Sequence, residues 1–268
     1  MAIQLITVLS INTAISAACF VVLWLISLRL KDVSFIDSWW ALGIVVIASS
    51  TALQAGAASL HALWLLGLCG LWGLRLGLYL LRRWRRNGPD HRYQVILGRA
   101  QSKRGWSFAK ASLLMAFALQ APLQFIVSLP VQLGQIGDAH PGLGIAARIG
   151  IALAVAGILF ESIGDWQLAR FKRDPKNQGK VLDSGLWRYT RHPNYFGDAL
   201  LWWGLFLIAA ETPFGLWSLP GPILITALLT RWSGVPTVEG SIRKRRPDYQ
   251  SYVERTPAFI PWLPKRPA

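Results

Sequence analysis

Hydrophobic residues in this chain gather into long unbroken runs, separated by short polar or basic segments. The runs extend roughly over Ile3 to Leu28, Phe35 to Ala55, Leu60 to Leu81, Phe108 to Leu129, Leu143 to Leu168, Phe196 to Ala210 and Phe214 to Trp232. A helix rises about 1.5 Å per residue, so some 20 apolar residues cross about 30 Å of hydrocarbon. Backbone groups in lipid must pair within their own segment, which a single continuous run achieves only as a helix. The pattern therefore predicts an all-α, polytopic integral membrane protein with seven transmembrane helices. The sixth run is the shortest, with about fifteen apolar residues between Asp198 and Glu211, and Pro220-Gly221-Pro222 interrupts the seventh. A re-entrant hairpin fits those two as well as a pair of full crossings, and both leave the tail on the same side. The first run lacks a basic n-region and is longer than a signal-peptide core, so it reads as a retained span.

Charge adds orientation. The 28 Lys and Arg against 13 Asp and Glu give a formal net charge of +15. The basic residues fall almost entirely in alternate connections: Arg29 and Lys31, then Arg82 to Arg104, then Arg170 to Arg191, then Arg243 to Arg246 and the tail. Among the opposite connections only Arg148 is basic. Basic loops stay on the cytoplasmic face, which predicts an outside N-terminus and a cytoplasmic C-terminus. The same distribution argues against nucleic acid as a partner, because the charges flank membrane segments and suit anionic lipid. The two cysteines, Cys19 and Cys69, lie within apolar runs without a second ligand at metal spacing, so neither a disulfide nor a metal site is expected.

Polar groups within or beside spans are the candidates for chemistry, since lipid penalises them. The densest set runs from Gly185 to Asp198, where Arg188, Arg191, His192, Asn194, Tyr195 and Asp198 fall within eleven residues. Pro193 suits the first position of a helix, so Asn194 to Asp198 read as a first turn whose free N–H groups and dipole favour an anion. A nucleotide pyrophosphate there would meet both the dipole and the arginines. Asn194 and Asp198, four apart on one face, suit a ribose or a carboxamide. An interfacial turn with belt aromatics is the plain alternative. Glu161 and Asp165 are also four apart; they either pair with Lys172 or Arg173 at the interface, or Asp165 receives a ligand group. Arg75, flanked by Gly73 and Gly77, either snorkels to the interface or faces inward as a phosphate or carboxylate clamp. The two glycines let a neighbouring backbone come close beside it. Asp37 is a helix cap or interfacial acid or, turned into the bundle, a carboxyl whose pKa burial raises until it serves as a proton donor. A basic amphipathic tail explains most of the chain after Trp232 and leaves Glu239 over. No Gly-x-Gly-x-x-Gly and no Walker loop occurs, so any nucleotide would be held by helices.

These residues resemble the steroid 5-alpha-reductase-like membrane proteins, in particular a bacterial group of unknown function related to the steroid 5-alpha-reductase C-terminal domain. The likeness is strongest from Glu161 to Asp198 and continues through Tyr249, Tyr252 and Thr256 to Trp262. Val33 to Trp40 and the Arg75 segment extend it to most of the chain. The resemblance implies a single membrane domain over 1–268, with spans one to four (1–130) on the substrate side and 143–268 binding the cofactor. It implies reduction of a carbon–carbon double bond conjugated to a ketone in a steroid-like or other lipophilic substrate, with NADPH bound from the cytoplasm of a bacterial inner membrane by a monomer. Asn194 and Asp198 would then hold the nicotinamide or ribose region, and Leu186, Trp187 and Tyr195 would line the cofactor. Asp165 would bind it from the fifth span, while Arg75, Arg83, Arg173 and Arg191 would meet phosphates. Glu239 and Arg231 would come from the final segment. Asp37 would engage the substrate ketone. Where related reductases pair that acid with a tyrosine on the third span, this chain has Trp72, which leaves Tyr79 or Tyr93 as the second donor.

Arg191-His192-Pro193-Asn194-Tyr195 also resembles a segment of isoprenylcysteine carboxyl methyltransferase-like enzymes, which bind S-adenosylmethionine. The Asn194 and Asp198 pair, the Asp165 segment and Arg75 favour the reductase. A non-enzymatic lipid-binding or transport protein is the third reading, although no inverted repeat supports a transporter.

Overall fold

A computed structural model describes residues 1–56, 58–137, 142–232, 234–243, 246 and 249–265. All regular structure among the described residues is helical: α1 (Ala2–Leu30), α2 (Ile36–Ala55), α3 (Leu60–Asn87), α4 (His91–Arg104), α5 (Phe108–Val127), α6 (Leu129–Leu133), α7 (Ile145–Arg173), α8 (Pro193–Ala209), α9 (Pro220–Ala227), α10 (Val235–Arg243) and α11 (Tyr249–Arg255). Five of these, α1, α2, α3, α5 and α7, are long and apolar enough to cross a membrane, and the chain is an integral membrane protein. The sixth and seventh expected spans are shorter than the other five. The 17 residues of α8 rise only about 25 Å, and α9 has eight residues, continued by a π-turn over Leu228–Trp232. The basic tail lies partly outside the described residues, at Lys244, Arg245, Pro247 and Asp248.

Two compact units make up the chain. The first comprises Met1–Ala147 and Ile208–Gly221. Its central pair, α2 and α3, meets through the glycines that the sequence placed beside Arg75. A Cβ on Gly73 would lie 2.4 Å from Val45 and 3.0 Å from the Ala41 carbonyl, and one on Gly77 would lie 2.5 Å from Leu42. Polar side chains tie further helices to this pair. Asn12 Nδ2 donates to Thr51 Oγ1 (2.8 Å) and Gln132 Oε1 (2.9 Å), linking α1, α2 and α6. Such bonds are favoured in lipid, where there is no water to replace them. Glu211 caps the start of α7, accepting from the Gly144 and Ala147 N–H groups at 2.8 and 2.9 Å, and meets the buried His61 Nε2 at 2.9 Å.

The second unit comprises Arg148–Leu207 and Pro222–Ala268. Here α7 and α8 cross backbone to backbone. A Cβ on Gly157 would lie 2.5 Å from the Gly197 carbonyl, and one on Gly204 2.5 Å from the Gly150 carbonyl. The glycines are seven apart on each helix, at 150, 157 and 164 and at 197 and 204, so they fall on one stripe. Beside the seam, Phe160, Phe196 and Phe259 form a row of edge-on rings at 5.4 and 5.9 Å, which brings the C-terminal segment against both helices.

Candidate functional site

In the first unit the site grows from the turn between α1 and α2. Asp32 is buried there; its Oδ1 accepts from the Ser34 N–H (2.9 Å) and hydroxyl (2.7 Å), and its Oδ2 from the Trp84 indole N–H (2.6 Å). Ser34 Oγ in turn accepts from the Asp90 N–H at 2.7 Å. The turn thus fixes α2, the end of α3 and the start of α4 together. Asp90 caps α4, accepting from the Arg92 N–H at 2.8 Å, and holds the Arg92 side chain with both oxygens at 2.9 to 3.1 Å. The first turn of α4 is thereby aimed at the first turn of α2.

What meets there is Asp37. Its Oδ1 accepts from the Tyr93 hydroxyl at 2.7 Å, and its Oδ2 from Arg92 Nη2 at 2.8 Å, with Arg83 Nη2 at 3.9 Å. Gln120 Nε2 on α5 donates to the Tyr93 oxygen at 3.0 Å. Tyr93 therefore has one acceptor, Asp37, and one donor, Gln120, which directs its proton at the carboxylate. Burial and the Asp37 charge push the phenol pKa well above its usual value. The sequence suggested a desolvated Asp37 carboxyl acting as donor. Instead, Asp37 keeps 23% of its side-chain surface and accepts at both oxygens, because α4 delivers an arginine and a phenol to it. Tyr93 is the tyrosine placed against the acid; Tyr79 lies half-buried on α3, and Trp72 is fully buried. Arg83, expected at cofactor phosphates, stands beside Asp37, whereas Arg75 is half-buried further along α3.

In the second unit α8 begins at Pro193, so Asn194, Tyr195 and Asp198 occupy its first turns as the sequence indicated. Asn194 Nδ2 donates to Asp165 Oδ1 on α7 at 3.2 Å, and Glu161, Asp165 and Asp198 are all buried. Gly164 makes the approach possible, since its Cβ position lies 3.1 Å from Pro193 and 3.2 Å from the Asn194 nitrogen. Trp187 is buried with its indole N–H on the Gly164 carbonyl (3.1 Å), and the Leu186 N–H donates to Gln167 (3.0 Å). Leu186 lines an apolar groove. Arg173 and Arg231 are exposed.

Arg191 and Glu239 depart most from expectation. Arg191 is buried, its Nε donates to Glu239 Oε1 at 2.8 Å, and its Nη1 reaches the Val253 and Thr256 carbonyls at 3.0 and 2.5 Å. His192 Nε2 lies 3.1 Å from the same Glu239 oxygen, and its ring stacks on Tyr195. Burial works against the Glu239 charge, yet the His192 and Arg191 hydrogen bonds and the Arg191 charge hold its pKa down at about 2. The guanidinium expected at a phosphate thus ties α10 and the chain after α11 to the motif. It does so because a buried arginine must pair. Sequence reasoning missed Asp32, Asp90, Arg92 and Gln120. Gln120 alone carried a signal, as an amide four residues from Gln124 inside an apolar span. Among the described residues no group of His, Cys, Asp and Glu is arranged to hold a metal ion.

The fold and these two polar clusters define a helical membrane protein with an acid–tyrosine pair in one unit and a buried amide–carboxylate set in the other. The chain belongs to the family described as protein of unknown function DUF1295, whose model matches residues 23–256; the family is steroid 5-alpha-reductase-like. An uncharacterized protein of Schizosaccharomyces pombe is 22% identical over 275 residues, covering 90% of this chain and 76% of the yeast protein. No solved structure matches.

Proposed function

We propose that the protein uses NADPH to reduce a carbon–carbon double bond conjugated to a ketone in a steroid-like or other lipophilic substrate. The observation that carries this reading is the Tyr93 hydroxyl held between Asp37 and Gln120. Reduction of an enone at its β-carbon leaves negative charge on the ketone oxygen, and a fixed, neutral O–H donor is what stabilises that charge. Tyr93 is such a donor, turned from Asp37 to the substrate oxygen when the ketone enters. Arg92 remains on Asp37 and keeps the carboxylate satisfied. A proton taken from water then adds at the α-carbon, completing the reduction.

The residues of the second unit fit a dinucleotide. Buried carboxylate oxygens at Asp165 and Asp198 suit ribose hydroxyls and amide N–H groups, the Asn194 carboxamide suits a second amide, and Arg173 and Arg231 remain for phosphates. Bound there, NADPH would supply the hydride. The proposal includes seven crossings, an outside N-terminus, and a cofactor side facing the cytoplasm of a bacterial inner membrane, supported by the distribution of basic residues.

The test is thermal stability of the purified protein in mild detergent with NADPH, NADH or S-adenosylmethionine, followed by NADPH oxidation dependent on an added enone. A ligand bound only by the folded state raises the melting temperature. Selective stabilisation by NADPH with enone turnover is the expected result. Stabilisation by S-adenosylmethionine alone would transfer the motif to methyl transfer, and no response to any of the three would return the protein to a lipid-binding role.

A further inference from the structure

After α11, residues 256–262 stay against the second unit. The Thr190 hydroxyl donates to the Phe259 carbonyl at 2.8 Å, and the Trp262 N–H donates to the Tyr189 carbonyl at 2.9 Å. Phe259 packs edge-on against Phe196. Beyond these anchors, the Trp262 and Leu263 side chains remain 74% and 72% exposed. They form one wall of an apolar groove whose other lining residues are Phe160, Leu186, Tyr189 and Pro261.

Depth decides what the groove faces. Phe160 lies ten residues before Arg170, the first basic residue in the last turn of the spanning helix α7, and therefore about 15 Å back along the apolar part of that helix. Leu159 and Ile163, on either side of Phe160 in sequence, are exposed on α7 and belong to its lipid face. The groove is thus continuous with a lipid-facing surface. Its sequence neighbours are basic and exposed, Arg188 before Tyr189 and Lys265 after Leu263. At the α7 end, Arg170 lies over the Trp166 ring at 5.5 Å, an aromatic and basic pair of the kind that marks a membrane interface.

We infer that this groove binds the acyl chain of an anionic membrane lipid, clamped between α7 and the C-terminal strap Phe259 to Leu263. The chain lies along Phe160 and Leu186 under Trp262 and Leu263, and the headgroup meets the basic rim. The inference rests on the membrane setting of α7 and is independent of any catalytic activity.

The experiment uses the full-length protein in liposomes containing a phosphatidylglycerol with a photoreactive diazirine in one acyl chain, followed by peptide mapping of the adducts. Adducts are expected on peptides containing Tyr189 and Phe259 to Leu263, in addition to the lipid-facing side chains of α1 such as Val21 and Leu25. Labelling of α1 without the strap would overturn the inference. In the variant Leu263→Asp, strap labelling should fall at least about tenfold relative to α1, the factor implied by removing one leucine-sized apolar contact. A Leu263→Cys protein modified by a membrane-impermeant thiol reagent as fast as an exposed Glu254→Cys control would place the strap in water and refute the site.

Discussion

Replacing Tyr93 with Phe removes one oxygen and leaves the ring. The lost oxygen donates to Asp37 at 2.7 Å and accepts from Gln120 at 3.0 Å. Asp37 keeps Arg92 at 2.8 Å and is 23% exposed, so water can replace the missing donor and the cost in stability should be about 1 kcal/mol. The effect on turnover is of another order. Removing one hydrogen-bond donor to a developing oxyanion lowers kcat by about 10²–10³, or roughly 3–4 kcal/mol. On the proposed reading a lipophilic substrate would draw its ground-state binding from apolar contact, so KM should stay within about threefold. The assay is enone-dependent NADPH oxidation under saturating cofactor, with a melting curve on the same preparation. A Tyr93→Phe protein that turns over within about threefold of the parent would refute the donor role. A pH arm sharpens this. A phenol whose pKa is raised on folding keeps its proton, and its contribution to stability, up to its unfolded value near 10. The rate should therefore show no alkaline fall assignable to Tyr93 below about pH 10.

Three further outcomes are expected. Asn194→Ala removes the amide bonded to the buried Asp165 and should lower the melting temperature of the unliganded protein by the equivalent of about 1–3 kcal/mol, while the further rise in melting temperature on adding NADPH, read by ligand-induced thermal shift, should shrink as binding weakens. Gly157→Ala sets a Cβ 2.5 Å from the Gly197 carbonyl and should destabilise by about 1–3 kcal/mol, whereas Gly67→Ala, with nothing within 4 Å, should be neutral or slightly stabilising. Glu239 has its pKa lowered from 4.5 to about 2, so its contribution is complete above pH 4.5 and is lost as pH falls toward 2. The melting temperature should drop through that window, and Glu239→Gln should make the drop shallower.

Membrane class and the five longest helices were legible because apolar run length is set by hydrocarbon thickness, a constraint that acts locally on sequence. Gly73 and Gly77 were legible for a similar reason, since a four-residue spacing puts two small residues on one helical face. The α7 and α8 seam is less legible although it is written in the same alphabet. Gly150, Gly157 and Gly164 are seven apart, two turns rather than one, and lie among alanines that mask the repeat. The same holds for Gly197 and Gly204, with two tryptophans just before Gly204. Small residues at a seven-residue spacing thus mark this crossing as those at a four-residue spacing mark the other.

The chemistry was harder to read because partners in space are not neighbours in sequence. Asp37 could be singled out from its place at the head of a span, but its fate was decided by α4, a short basic helix that looked like a topology signal. Arg92 and Tyr93 reach Asp37 only because Asp90 caps that helix and Ser34 holds the Asp90 N–H, the second a contact between residues 56 apart in sequence. Arg191 shows the converse error. A basic residue inside a dense polar motif suggests an anion, yet the anion it meets is Glu239, 48 residues on. Within a membrane unit any buried charge must find its opposite, and the chain itself supplies the first candidate. For this protein, then, the cations to test against a cofactor phosphate are the exposed ones, Arg173 and Arg231, whose substitution should change NADPH affinity without loosening the fold.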